Sequence, residues 1–251
     1  MKNASEIRDA LCGPVPSIST PFLSNGDIDY KSLAKMIDLY VQSHMKTILL
    51  TPGDSHYIML SDREISELTE FVVKETAGRT MVIAADRHYG TPQAVEFAKY
   101  VRELGADLYM PYPPEWVASM TPETCSDHYA AIGEYMPIMM LFCPFKDEAN
   151  AWKLFDLTFE KTDALVALKD DICGPISRKM CLRYNDRVAV ISGGQKQNHL
   201  NSFHYGCDGY LSTFARFAPE IAWKYWNAIE QNDIPAAVKI IEKYDMPFFE
   251  M

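Results

Sequence analysis

The chain has 251 residues, 48% of them hydrophobic, and a formal net charge of −10. That length holds one large domain or two small ones, with a core big enough to need neither disulfide nor metal. The negative balance speaks against nucleic acid and anionic membrane partners, while leaving room for a small anionic substrate in a pocket of locally opposite sign. The six cysteines form no CxxC pair and no Cys/His cluster with zinc spacing, which reads as free thiols in a reducing, cytoplasmic setting with no metal or other cofactor. The first residues lack a long apolar segment, and no stretch approaches the roughly 18 apolar residues of a membrane span.

Short apolar runs alternate with longer amphipathic ones along the chain. The short runs, each predicted as a strand, are "VPSIST" (15–20), "KTILL" (46–50), "MVIAA" (81–85), "DLYMP" (107–111), "IMMLF" (138–142), "LVALK" (165–169), "VAVIS" (188–192) and "GYLST" (209–213). After the first comes "KSLAKMIDLYVQSH", with Leu33, Met36, Ile37 and Tyr40 on one helical face. After the second, "SDREISELTEFVVKET" opens with Ser61 and, three residues on, Glu64, the pattern of a capping box. After the third, "TPQAVEFAKYVRELGAD" offers Thr91 as N-cap, Pro92 at the first helical position and Gly105 as the stop. Thr121 and Pro122 repeat that entry after the fourth, and "APEIAWKYWNAIEQND" follows the eighth. The remainder, "IPAAVKIIEKYDMPFFEM", reads as one further helix and a frayed end.

Strands without polar alternation, each followed by a helix, imply a parallel sheet covered on both faces. Eight such units in this length predict a (β/α)8 TIM barrel over 1–233, with 234–251 as a short helical extension. A doubly wound open sheet is the rival, but the strand spacing is even and no Gly-rich dinucleotide loop follows the first strand.

In a barrel of this kind the chemistry sits at the mouth formed by the C-terminal strand ends. Lys169 closes the sixth run there, followed by Asp170 and Asp171. An ammonium group is expensive to take out of water. Among apolar walls the neutral amine is favoured, and it attacks a ketone to give an iminium that accepts electrons from the neighbouring bond. A lysine paired with Asp170 or Asp171 is the purely structural alternative.

Several segments carry a resemblance in order: "GPVPSISTPFLSNGDIDYKSL" at the start, "GADLYMPYPPEW" at the fourth strand, "ALVALKDD" at the sixth, "ISGGQ" after the seventh and "GCDGYLSTFARFAPEI" around the eighth. From about Gly13 to Asp233 the chain resembles the dihydrodipicolinate synthase / N-acetylneuraminate lyase family of class I aldolases. The resemblance implies a TIM barrel, a Schiff base at Lys169, and a 2-oxo acid substrate such as pyruvate. It also puts Gly193 and Leu211 beside the substrate, and implies a homo-oligomer. The family's small helical domain is represented here by its first helix, which leaves dimer and tetramer both open.

Three positions depart from the family pattern. Where the family has Gly-Thr-Thr-Gly-Glu to hold the substrate carboxylate, this chain has "PGDSH", with Gly53 and Asp54 in the threonine places. An ionised Asp54 would repel a carboxylate unless it points away or stays protonated; if its side chain caps the following turn, the Gly53 and Ser55 amides, and the Ser55 hydroxyl, are left for the anion. The family's proton-relaying tyrosine on strand five, three residues before Pro144, is Leu141 here. An arginine two residues after that proline is Lys146, which keeps the charge but loses the bidentate fork.

Other groups near the predicted mouth are available. The Tyr112 phenol is a candidate relay, or packs against Trp116. His56 is a candidate base, or a solvated loop residue. Asp86, Arg87 and His88 either line the mouth or cap and pair among themselves, and Gln195 and Lys196 are polar with no assigned chemistry. The reading is a class I lyase or aldolase acting through Lys169. The alternative is a barrel of the same family that has lost turnover and serves as a binding or scaffold protein.

Overall fold

The computed structural model describes residues 2–87, 89–113, 120–142, 145 and 147–251. Eight strands form one sheet: β1 (Gly13–Val15), β2 (Thr47–Leu49), β3 (Met81–Ala85), β4 (Leu108–Met110), β5 (Ile138–Phe142), β6 (Leu165–Asp170), β7 (Ala189–Ser192) and β8 (Gly209–Leu211). Their order is sequential from β2 to β8, with β1 beside β8, and the pairings are parallel. A parallel bridge between Ser17 and Leu49 brings β1 back to β2 and closes the ring. The chain is therefore a (β/α)8 barrel. Most strand residues are buried on both faces, as the unbroken apolar runs require, because side chains fill the barrel and helices cover it outside.

β3 and β5 coincide with the predicted runs, whereas β1 lies earlier than the expected 15–20. Pro14 and Pro16 have no N–H to donate. The ladder to β8 ends where the Ser212 N–H donates to the Val15 carbonyl, and the chain then turns its hydrogen bonds to β2. Leu49 donates to Pro16 at 3.0 Å and Ile18 donates to Leu49 at 2.9 Å.

The helices in chain order are α1 (Ala4–Leu11), α2 (Tyr30–Gln42), α3 (Asp62–Thr76), α4 (Thr91–Leu104), α5 (Pro122–Gly133), α6 (Glu148–Lys161), α7 (Pro175–Tyr184), α8 (Gln195–Ser202), α9 (Pro219–Glu230) and α10 (Ile234–Ile240). Ser61 and Glu64 form the capping box of α3, and Thr121 caps α5. Gly105 ends α4 at φ 96°. The N-cap of α4 is Gly90 rather than Thr91, whose hydroxyl instead meets Nδ1 of the buried His128 on α5 at 2.9 Å. α1 was not anticipated. An Asn3–Glu6 capping box starts it, and Ile7 and Leu11 are buried beneath the barrel.

The last segment is more ordered than a frayed end. After α10 the helix widens into a π turn over Ile241–Asp245 and continues over Met246–Phe249. The wide turn aims Asp245 inward, where it meets Lys196 of α8 at 2.7 Å with both side chains fully buried. The Lys196 ammonium also lies 4.1 Å from the Phe214 ring centre. Burial pushes the Lys196 amine down and the Asp245 carboxyl up from their usual ranges, in each case opposed by the partner's charge. Such a pair is costly to break on one side only. Lys196→Met is expected to lower stability by about 3–5 kcal/mol, and the combined change Lys196→Met with Asp245→Leu to recover most of it, read from urea unfolding midpoints.

Candidate active site

Lys169 is the second-last residue of β6, in register with Leu141 on β5 and Ile191 on β7. A strand alternates its side chains, so Lys169 and Asp171 share the inner face while Asp170 points out. The Lys169 Nζ lies 2.5 and 2.6 Å from the two carboxylate oxygens of Asp171. The lysine side chain is 4% exposed and that of Asp171 39%, so the carboxylate stands between the buried amine and the opening. Of the two acids that could have paired with the lysine, the geometry selects Asp171.

Asp170 has a different task. Its carboxylate accepts from the backbone N–H of Ile172 and of Cys173, each at 3.1 Å, from the Asn198 side chain at 3.1 Å, and from the Ser177 hydroxyl. It thereby ties the loop after β6 to α7 and α8. Gly193, at the end of β7, donates to the Asp170 carbonyl at 2.6 Å. A methyl group on Gly193 would fall 1.6 Å from Oδ1 of Asp171. The glycine therefore makes the space in which Asp171 reaches the lysine. The Cys173 thiol next to this loop is pushed up to about 11, by burial first and then by the Asp170 and Asp171 carboxylates.

The turn after β2 faces β6 across the ring. Thr51, missed by the sequence reading, shares a hydrogen bond of 3.1 Å with the Tyr112 phenol. The Tyr112 N–H donates to the buried Asp86 at 2.9 Å, and the Tyr109 hydroxyl donates to the other oxygen of Asp86. Asp86 thus holds the chain after β4 in place. The Tyr112 phenol is pushed up to about 12, by burial above all; the Asp171, Asp86 and Asp54 carboxylates add to this and the Thr51 hydrogen bond opposes it. It stays protonated at neutral pH and so keeps an O–H able to donate a hydrogen bond.

Asp54 does not cap its own turn. Its carboxylate accepts from the Ser17 hydroxyl and lies 3.3 Å from the Arg216 guanidinium, which also donates to the Ser19 hydroxyl at 3.0 Å. Arg216 sits on the single turn Phe214–Arg216 after β8 and was not singled out in the sequence. The signal available was the need for a cation to offset Asp54. Ser55 is fully buried; its hydroxyl donates to the Ile18 carbonyl at 2.6 Å and accepts from the Thr51 N–H at 3.1 Å. Its own N–H donates to the Thr51 carbonyl at 2.9 Å. The Ser55 hydroxyl and amide, both expected to face an anion, are thus spent on joining the turn to the segment after β1 and on closing the turn itself.

Gly53 is exposed at the tip of the turn. His56 has a left-handed backbone at φ 59°, and its ring meets Phe22 edge-on at 6.2 Å. Leu141 is half-buried beside Lys169, and Leu211 is buried at the end of β8 opposite Val15. Arg87 pairs with Asp62 at 2.6 Å, on the α3 side. The Gln195 side chain accepts from the Thr213 N–H at 2.8 Å, joining the loops after β7 and β8. Lys146, Pro144, His88 and Trp116 lie outside the described residues. Among the described residues, no group of three or more His, Cys, Asp and Glu side chains is arranged to hold a metal, and no helix is long and apolar enough to cross a membrane.

Gly193→Ala is expected to cost about 1–3 kcal/mol by overpacking. The cost should fall in an Asp171→Ala background, where only the 2.9 Å approach to the Asp170 carbonyl remains. A double-mutant cycle of urea unfolding free energies reads this coupling.

The sequence profile of the Dihydrodipicolinate synthetase family matches residues 10–250. The chain is 28% identical over 242 residues to a 4-hydroxy-tetrahydrodipicolinate synthase of Psychrobacter sp. (strain PRwf-1), covering 94% of this chain and 78% of that one. It is 26% identical over 233 residues to a DapA-like lyase of Rhizobium meliloti, covering 90% and 76%. Among solved structures, N-acetylneuraminate lyase from Fusobacterium nucleatum superposes with a TM-score of 0.83 at 18% identity, over 94% of this chain and 81% of that one. YagE of E. coli K12, a dihydrodipicolinic acid synthase family protein solved in complex with pyruvate, superposes with a TM-score of 0.80 at 18% identity, over 92% and 79%. With the barrel and the family profile covering nearly the whole chain, this protein belongs to the dihydrodipicolinate synthetase family.

Proposed function

We propose that this protein is a class I lyase or aldolase that forms a Schiff base between Lys169 and pyruvate or a related 2-oxo acid. The observation that carries the reading is the nearly buried amine of Lys169 at the C-terminal end of β6, inside the mouth of a barrel of this family. Attack of the neutral amine on the keto carbon, with loss of water, gives an iminium. The iminium draws electrons from the bond next to the former carbonyl, so that bond breaks or forms at low cost.

The walls of the mouth suit an anionic, oxygen-rich substrate better than the net charge of the chain suggests. Arg216 supplies a guanidinium that Asp54 only partly engages, at 3.3 Å, and Ser17 and Ser19 add hydroxyls beside it. A substrate carboxylate would compete with Asp54 for this group. Tyr112, held by Thr51 and protonated at neutral pH, offers a donor to an oxygen on the substrate. One arrangement favours the alternative of a binding barrel without turnover. The Asp171 clamp on Lys169, with Leu141 at its side, is what a disabled amine would also look like.

Incubation with pyruvate and borohydride, followed by intact-mass measurement, is expected to show one covalent adduct that is absent from Lys169→Ala. No adduct with pyruvate or a panel of 2-oxo acids would defeat the Schiff-base reading in favour of the binding barrel. Tyr112→Phe should keep the adduct but slow its formation by up to about tenfold, the worth of one lost hydrogen bond of ~0.5–1.5 kcal/mol.

A further inference from the structure

An amine that attacks a carbonyl needs two proton transfers from its neighbours. A base must first take a proton from the ammonium. An acid must later give one to the hydroxyl of the carbinolamine so that it leaves as water. Leu141 and Ile191, the register partners of Lys169 on either side, carry no proton to exchange. The Tyr112 phenol, held in its protonated form, cannot take the ammonium proton. Among the described residues, the group at hydrogen-bond distance from the Lys169 Nζ is the carboxylate of Asp171.

We propose that Asp171 is the acid–base catalytic residue of the Lys169 site. The inference rests on the Schiff-base reading above. The placement is built rather than incidental. The strand pleat returns Asp171 to the face of Lys169, Asp170 pins the loop on the other side through the Ile172 and Cys173 amides, and Gly193 leaves the space that the carboxylate occupies. With 39% of its side chain exposed, Asp171 touches both the buried amine and solvent.

Asp171 takes one proton from the ammonium, leaving a neutral amine and a carboxylic acid. The nitrogen lone pair forms the N–C bond as the carbonyl π pair moves to oxygen, and a proton passes from nitrogen to that oxygen to give the carbinolamine. The Asp171 acid then gives its proton to the hydroxyl, the C–O bond breaks, water leaves, and the nitrogen lone pair forms the C=N bond. Ammonium and ketone have become iminium and water. Asp171 is again a carboxylate, now paired with the iminium cation.

The rival role for the same contact is a clamp that holds Lys169 as an inert ammonium. The two roles predict opposite signs. In timed borohydride quenches with pyruvate, Asp171→Asn and Asp171→Ala are expected to form the adduct roughly 10²- to 10⁴-fold more slowly than the native protein. Asp171→Glu should keep part of the rate. Sodium formate should accelerate Asp171→Ala several-fold by placing a carboxylate in the vacated space, with urea unfolding confirming that each variant is folded. Adduct formation as fast as native, or faster, in Asp171→Asn and Asp171→Ala would make Asp171 a clamp and overturn the proposal. Slow formation in a folded Asp171→Ala that formate does not relieve would make it a strut and overturn the proton transfer. Absence of an adduct in the native protein overturns the Lys169 reading itself, and the role of Asp171 with it. The two failures are told apart by which protein stays unlabelled.

Discussion

The Lys169 ammonium leaves water at the end of β6 and meets, two residues on, the carboxylate of Asp171. Desolvation penalises the buried Lys169 charge, so its carboxylate partner matters more than in an exposed pair, while Asp171 itself keeps contact with solvent. The local geometry follows from that need. The spacing of two is the pleat of a strand, and it sends the intervening Asp170 to the opposite face. There Asp170 collects backbone and side-chain donors and fixes the loop. β7 must then present a glycine at 193, because any side chain would overlap Asp171.

Around this pair the mouth is assembled from strand ends that are distant in sequence. Asp54 comes from the turn after β2, Tyr112 from the chain after β4, and Arg216 from the turn after β8. Three carboxylates, Asp171, Asp86 and Asp54, act together on the Tyr112 phenol. In a chain of net charge −10 the mouth nonetheless holds Lys169 and Arg216, each beside an acid. Each cation is kept in place by an acidic partner, which under the proposed function an anionic substrate would displace or share. Affinity for such a substrate then depends on a local exchange of partners rather than on the field of the whole protein.

The C-terminal segment is bound to the barrel by the same physics. The Lys196–Asp245 pair is fully buried, and Asp245 is the last residue of the widened helical turn. α8 carries Lys196, and the loop from β7 into α8 carries Gly193 next to Asp171. The element that anchors the end of the chain is thus continuous with the wall of the candidate site.

Much of the barrel was legible because its signals are local. Unbroken apolar runs mark strands covered on both faces, the Ser61–Glu64 pattern marks a helix start, and Lys169 at the end of such a run stands out as a charge where apolar residues belong. The sequence left Asp170 and Asp171 both open as partners of the lysine, and the structure selects Asp171, in keeping with strand alternation. The prolines that shift β1 were visible, but their effect depends on which neighbour strand offers the next partner. The partners of Ser55 and Asp54 were not legible for the same reason: a hydroxyl or carboxylate bonds whatever the fold brings within about 3 Å, and here that was Ile18, Ser17 and Arg216. The sequence by itself determined the barrel, its order of strands and the lysine at its mouth, because hydrophobic period and strand pleat act over a few residues. Only the tertiary structure decided the pairings of Tyr112 with Thr51, of Asp54 with Arg216 and of Lys196 with Asp245, because each joins strand ends or helices whose proximity exists only once the ring has closed.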